Sequence, residues 1–202
     1  MFENPPKPRS NVIHGAPCIF AAADGFQLHG YLWKSDAQPH TALLINPATG
    51  VAARYYSRYA AYLARAGFWV MTYDYRGIGE SSPESLKGFR ATKHDWGALD
   101  CEAAILFLHK ANPKLPMMAV CHSIGGFALG LAPSATKIKR ALFVGCQYAY
   151  WNDYRLLLRV PMWMNWHILM PVLTGVFGYF PGKALRWLED LPAGVAMEWA
   201  TR

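Results

Sequence analysis

"AVCHSIGGFALG", Ala119 to Gly130, decides how this chain is read. An apolar run ends at Val120, Cys-His-Ser follows, and two glycines open a stretch of small and apolar residues. That order is strand, sharp turn, helix. A serine at such a junction takes a crowded backbone geometry, so the residues two positions to either side need to be small. Gly125 meets that on the far side. On the near side Cys121 stands where glycine is usual, a larger residue that is sterically tolerable. The stretch predicts an elbow that holds the Ser123 hydroxyl in the open.

Apolar runs and helical patterns alternate around it. "CIFAAADGFQLHGYLW" reads as a hairpin turning at Asp24-Gly25. "TALLIN" is a buried strand from Thr41 to about Asn46, stopped by Pro47. "ARYYSRYAAYLARAG" sets Tyr56, Ala60 and Leu63 on one helical face and ends at Gly67. "FWVMTYDYRG" is a strand ending near Asp74, and "IGESSPESLKGFRAT" is a loop. A helix from about Asp95 to Lys110 aligns Trp96, Leu99, Ala103 and Leu106. "MMAVC" is a strand, Gly125–Leu131 a helix and "RALFVGC" a further strand. This alternation implies βαβ units, hence an α/β fold with an open, mostly parallel sheet and helices on both faces. From Tyr148 onward the alternation stops, and Trp151, Trp163, Trp166, Trp187 and Trp199 gather. Residues 1–147 are expected to form the core and 148–202 a helical cap.

Composition narrows the function classes. The 202 residues suit one sizeable core, and 53% apolar against 16% charged residues exclude a disordered chain. The formal charge of +7 is scattered; its densest group, "KIKR" at Lys137–Arg140, leads straight into an apolar strand, so no nucleic-acid partner is expected. Cys18, Cys101, Cys121 and Cys146 have no paired spacing, which predicts no metal site and a reducing, cytoplasmic setting. "MFENPPKPRSNV" has no apolar run and is not read as a secretory signal. "VPMWMNWHILMPVLTGVFGYF", Val160 to Phe180, approaches the roughly 20 residues of a membrane span. Pro161, Asn165, His167, Pro171 and two glycines interrupt it, so a buried or pocket-lining segment is expected and membrane association is not.

In an open α/β sheet, ligands bind at the carboxyl ends of the strands. Three such ends carry "NPATG", "DYRGIGESS" and "CHSIGG". With these in this order, the chain resembles the α/β-hydrolase family over about Cys18 to Gln147. It is most similar to bacterial serine-aminopeptidase-like members of unassigned substrate. The resemblance implies that Ser123 is the nucleophile and that the Ile124 N–H is one oxyanion donor. The second donor comes from the loop after "LLIN". Where the family commonly has His-Gly, this chain has Asn46-Pro47. Pro47 has no N–H, so Ala48 is the expected donor and Thr49 the second choice. The implied activity is that of a serine hydrolase on a small carboxylic ester, thioester or amide. Acyl transfer on the same elbow and a non-catalytic binding protein are the alternatives. No cofactor is implied, and the partner is a small-molecule acyl substrate. Trp151, Trp163, Met164, Trp166 and Met170 are expected to line an apolar pocket under the cap. His122 is expected to point away from Ser123, Asp74 and Asp100 to brace turns, and Cys121 to be inert for want of a neighbour that lowers its pKa.

The family's triad runs in the order Ser, acid, His. After Ser123 the only histidine is His167, and the acids are Asp153, Glu189, Asp190 and Glu198, all in the cap segment; Gln147 follows the last strand. The expectation is therefore a truncated hydrolase fold that lacks its last strands, acid and base. A rewired triad of His167 with Asp153 is the alternative. An uncovered strand edge and apolar surface go with the first expectation.

Overall fold

Gly25, at φ +85°, lets the chain reverse within a few residues, and β1 (Ala16–Ala21) pairs antiparallel with β2 (Gln27–Trp33). The computed structural model describes residues 13–34, 38–147 and 150–200; the N-terminal stretch read against a secretory signal lies outside them. Beyond the hairpin come β3 (Thr41–Asn46), β4 (Phe68–Tyr73), β5 (Met117–His122) and β6 (Ile138–Val144). The six strands lie in the order β1-β2-β4-β3-β5-β6. β2 meets β4 antiparallel, and the pairs β4–β3, β3–β5 and β5–β6 are parallel. All of β3 is buried, as befits a strand covered on both faces.

One face is covered by α1 (Ser57–Arg65), entered through a 3-10 turn at Ala53–Tyr56. Tyr56, Ala60 and Leu63 face inward as their spacing required, against Leu43, Ile45, Val70 and Val120. The other face is covered by α3 (Glu102–Ala111) and α4 (Gly125–Leu131), which pack on Leu44, Met71 and Ala119. The run into α3 starts earlier than the sequence suggested. Thr92 caps a short α2 (Lys93–Asp95): the Asp95 N–H donates to Thr92 Oγ1 at 3.1 Å, and Asp95 Oδ2 accepts from the Thr92 N–H at 2.8 Å. A π-helical stretch, Trp96–Cys101, joins the two. β6 is an edge strand, with Leu142, Phe143 and Val144 exposed.

The cap consists of α5 (Leu156–Met164), a π stretch at Asn165–Leu169, α6 (Met170–Phe177) and α7 (Ala193–Ala200). A two-residue strand pair, β7 (Tyr179–Phe180) with β8 (Leu191–Pro192), is an element the sequence pattern does not announce. Trp166, Met170, Phe180, Val195 and Ala196 join the core on the α3 and α4 side. The segment 160–180, expected to be buried or pocket-lining, is so only in part: Met164, Ile168 and Val172 line an apolar cavity. The segment's inner side fills that core, while Val160, Met164 and Val172 on the other side are exposed. Among the described residues no helix is long and apolar enough to cross a membrane.

One ion cluster ties three distant pieces together. Arg76, at the turn after β4, donates from Nε to Asp100 Oδ1 at 2.7 Å and from its main-chain N–H to Asp100 Oδ2 at 2.9 Å. Its outer nitrogens reach Asp24 in the hairpin turn at 2.6 and 3.1 Å. Burial raises the pKa of the Asp100 carboxyl and Arg76 opposes the rise; the balance stands at about 6, so the group is ionised at neutral pH. Replacing Arg76 with Met strands that buried carboxylate, and urea denaturation is expected to show a loss of about 3–5 kcal/mol. Without the cation, Asp100 holds its proton to higher pH in the folded than in the unfolded chain. Stability then falls as pH rises, so the loss is larger above neutrality than near about pH 5. A small loss that does not vary with pH would contradict this reading.

Candidate active site

β5 ends at His122, and the chain then turns through Ser123 at φ +52°. A non-glycine residue rarely enters this region, so the surroundings must hold it there. The Ser123 N–H donates to the Val144 carbonyl at the end of β6 (3.0 Å), and the Ser123 carbonyl accepts from the Gly126 N–H (3.3 Å). Gly125 is needed because a Cβ there would lie 2.5 Å from the Asn46 carbonyl oxygen and 2.9 Å from Asn46 Cβ. The elbow thus rests directly on the end of β3. Ser123 is half-exposed, and its hydroxyl has no hydrogen-bond partner among the described residues.

The Cys121 side chain leaves the strand on the opposite side from its neighbour His122. It is fully buried beside Asn46 Nδ2 (3.6 Å), and burial pushes its thiol up to about 12, so it stays protonated and inert. Asn46 itself is a hub that the sequence analysis missed. Its Nδ2 donates to the Gly125 carbonyl (3.3 Å), and its Oδ1 accepts from the Tyr73 hydroxyl (2.9 Å) and the Cys101 thiol (3.6 Å). Strand parity held the signal: Ala42, Leu44 and Asn46 share one face of β3, so this amide had to be buried and satisfied.

The loop after β3 differs from expectation in one respect. The Ala48 N–H donates to the Tyr56 hydroxyl at 2.9 Å, and that hydroxyl lies 2.9 Å from His122 Nδ1. Ala48, the expected second oxyanion donor, is therefore already engaged. The cause is Tyr56, which helical spacing marks only as a core-facing residue. The N–H groups of Thr49 and Ile124 donate no hydrogen bond to the described residues. His122 faces Tyr56 and not the serine. Asp74 braces the following turn, accepting from the N–H groups of Ala53 (2.6 Å) and Glu80 (3.0 Å).

The cap residues expected to line a pocket are not gathered into one. Trp166 and Met170 are buried in the core, Trp151 packs against it, and Trp163 is exposed beside the His167 ring. Met164 lines an apolar cavity of about 740 Å³ that Ser123 does not reach. Nor do the cap acids meet a histidine. Glu189 pairs with Arg54 and Lys183, Asp190 accepts from the Lys183 N–H (2.9 Å), and Glu198 accepts from the Lys93 N–H (2.6 Å). Asp153 is exposed, and no hydrogen bond joins it to His167 among the described residues. The same end of the cap touches the β3 loop: the Glu189 N–H donates to the Gly50 carbonyl at 2.8 Å. No group of three or more metal-ligating side chains is found among the described residues.

A serine on a strand–helix elbow, in a mostly parallel sheet flanked by an antiparallel hairpin and a helical cap, defines the α/β-hydrolase class. The family model for serine aminopeptidase S33 matches residues 37–185, and the chain belongs to that α/β-hydrolase family. No curated protein matches the sequence. Among similar solved structures is a hypothetical protein from Pseudomonas aeruginosa, with TM-score 0.60 at 20% identity over 86% of this chain and 58% of that one. A cold-adapted esterase from an Arctic intertidal metagenomic library gives TM-score 0.53 at 21% identity, covering 71% and 65%. A thermostable carboxyl esterase from Bacillus coagulans gives 0.53 at 16%, covering 80% and 50%. At these identities the likeness is one of fold. The chain spans 58% and 65% of the length of the first two.

Removing the Tyr56 hydroxyl tests the loop geometry. Tyr56→Phe leaves the buried Ala48 N–H without its acceptor, so a loss of about 1–3 kcal/mol and faster hydrogen exchange at Ala48 are expected. Unchanged stability together with unchanged exchange would show that the contact does not hold the loop.

Proposed function

We propose that the chain carries the nucleophile half of a serine hydrolase site acting on a small carboxylic ester, thioester or amide. Ser123 Oγ bonds to the carbonyl carbon, its proton passes to a base, and the leaving alcohol, thiol or amine departs with a proton. Water then releases the acyl group. The Ile124 N–H at the head of α4 and the Thr49 N–H supply the two oxyanion donors, in place of the Ala48 pairing expected from the sequence. The observation that carries this reading is Ser123 itself, half-exposed at φ +52° with its hydroxyl free of protein partners among the described residues. Membership of a hydrolase family and a fold shared with esterases support it.

No described histidine or carboxylate bonds to Ser123, so little turnover is expected from the 202 residues alone; losing the base costs several orders of magnitude. That same observation favours, as a second reading, a non-catalytic binding protein built on this fold. A fluorophosphonate label separates the outcomes. Slow modification confined to Ser123 and abolished in Ser123→Ala is expected. Rapid stoichiometric labelling would show that a base is in place, and labelling unchanged in Ser123→Ala would remove Ser123 from the chemistry.

A further inference from the structure

The outer side of the cap carries an apolar surface that the serine site leaves unexplained. Leu156, Val160, Met164, Ile168, Val172 and Val176 recur every fourth residue through α5, the π stretch and α6, and all six are exposed, Leu156 at 77% and Val176 at 72%. Leu157 beside them is 89% exposed. A four-residue repeat drifts around an α-helix of about 3.6 residues per turn. The wider turn of the π stretch sets that drift back, which keeps the side chains on one side. The opposite side repeats at the same spacing with Trp166, Met170 and Thr174, all buried. The cap helices are therefore apolar outside as well as inside, whereas a helix wetted on one face ordinarily carries charge there.

Charge flanks most of this run and is sparse within it. Between residues 160 and 182 there is no Asp, Glu, Lys or Arg. Arg155 precedes the stripe, Arg159 sits half-buried within it, Lys183, paired with Glu189, and Arg186 follow it, and no acid falls between Asp153 and Glu189. Trp187, exposed, borders the apolar cavity beside Met164, Ile168 and Val172. Exposed arginines, Arg155 and Arg186, before and after an apolar stripe in the chain, with an aromatic at its rim, suit a water–lipid boundary, where basic heads reach anionic headgroups and apolar side chains enter the acyl layer. A second copy seated on the same face would bring the exposed arginines of both copies to one interface with no acid of the 154–188 stretch to meet them.

We propose that this face docks on a membrane surface bearing anionic lipid, with α5 and α6 lying in the plane of the interface. The prolines and polar residues that argued against membrane association in the sequence bear on spanning; they do not prevent a helix from lying at a surface. The inference is independent of Ser123.

Co-sedimentation of the 202-residue chain with phosphatidylcholine vesicles, with and without about one-third phosphatidylglycerol, tests it. Binding is expected to favour the anionic vesicles and to weaken with salt. The double variant Val160→Glu, Val172→Glu should lose about tenfold or more in binding, with its thermal melt confirming that it folds. Arg155→Gln with Arg186→Gln should lose the anionic preference. Ser123→Ala, and Leu142→Glu on the exposed β6 edge, should bind as the parent does. The proposal is overturned if the parent chain ignores vesicles, if the Val160/Val172 variant binds equally well, or if Leu142→Glu abolishes binding. It is also overturned if the Val160/Val172 variant only turns a dimer into a monomer on a sizing column, since a second copy would then be the occupant.

Discussion

Everything at the site depends on the close approach of Gly125 to the end of β3. Because position 125 lacks a side chain, α4 starts against the Asn46 main chain, and Asn46 Nδ2 reaches the Gly125 carbonyl. That contact sets the elbow beside the loop that follows β3. Ser123 beside it stands in the left-handed region, held on its other flank by the Val144 carbonyl. The nucleophile candidate, the Ile124 N–H and the β3 loop are thus positioned by the packing of the elbow on the end of β3 and by the Asn46 amide.

A second layer of polar contacts keeps this arrangement from relaxing. Arg76 joins the hairpin turn to the π stretch before α3 through Asp24 and Asp100. Asp74 holds the turns on either side of it, and Gly79 lies so close that any side chain there would meet the Asp74 carboxylate. Burial raises the pKa of both carboxyls, so each depends on its donors to remain charged. The "DYRGIGES" segment is accordingly a structural knot at the carboxyl edge of the sheet.

How much of this could be read from the sequence follows the range of the interactions. The elbow was legible because its requirement is local: a small residue two places beyond the serine, with a strand before and a helix after. The hairpin turn and the inward face of α1 were legible for the same reason. The Ala48–Tyr56 contact was not, because helical periodicity says which way Tyr56 points but not what its hydroxyl meets. The partners of Arg76 lie 24 and 52 residues away and leave no periodic trace. A run of apolar side chains with no Asp, Glu, Lys or Arg among them made 160–180 read as a buried or pocket-lining segment. Two interleaved four-residue repeats, one through Trp166 and Met170 and one through Val160 and Met164, show why only half of it is.

A pair of substitutions in α4 tests the central contact most directly. Gly125 and Gly130 lie in the same helix, but an added Cβ at Gly130 would meet nothing within 4 Å. Gly130→Ala is expected to leave the thermal midpoint unchanged or to raise it, by up to about 1 kcal/mol of helix propensity. Gly125→Ala forces a methyl onto the β3 main chain and is expected to lower stability by about 1–3 kcal/mol. If both variants melt alike, or if Gly125→Ala is as stable as the parent, the elbow is not held against β3 and the account of the site is wrong.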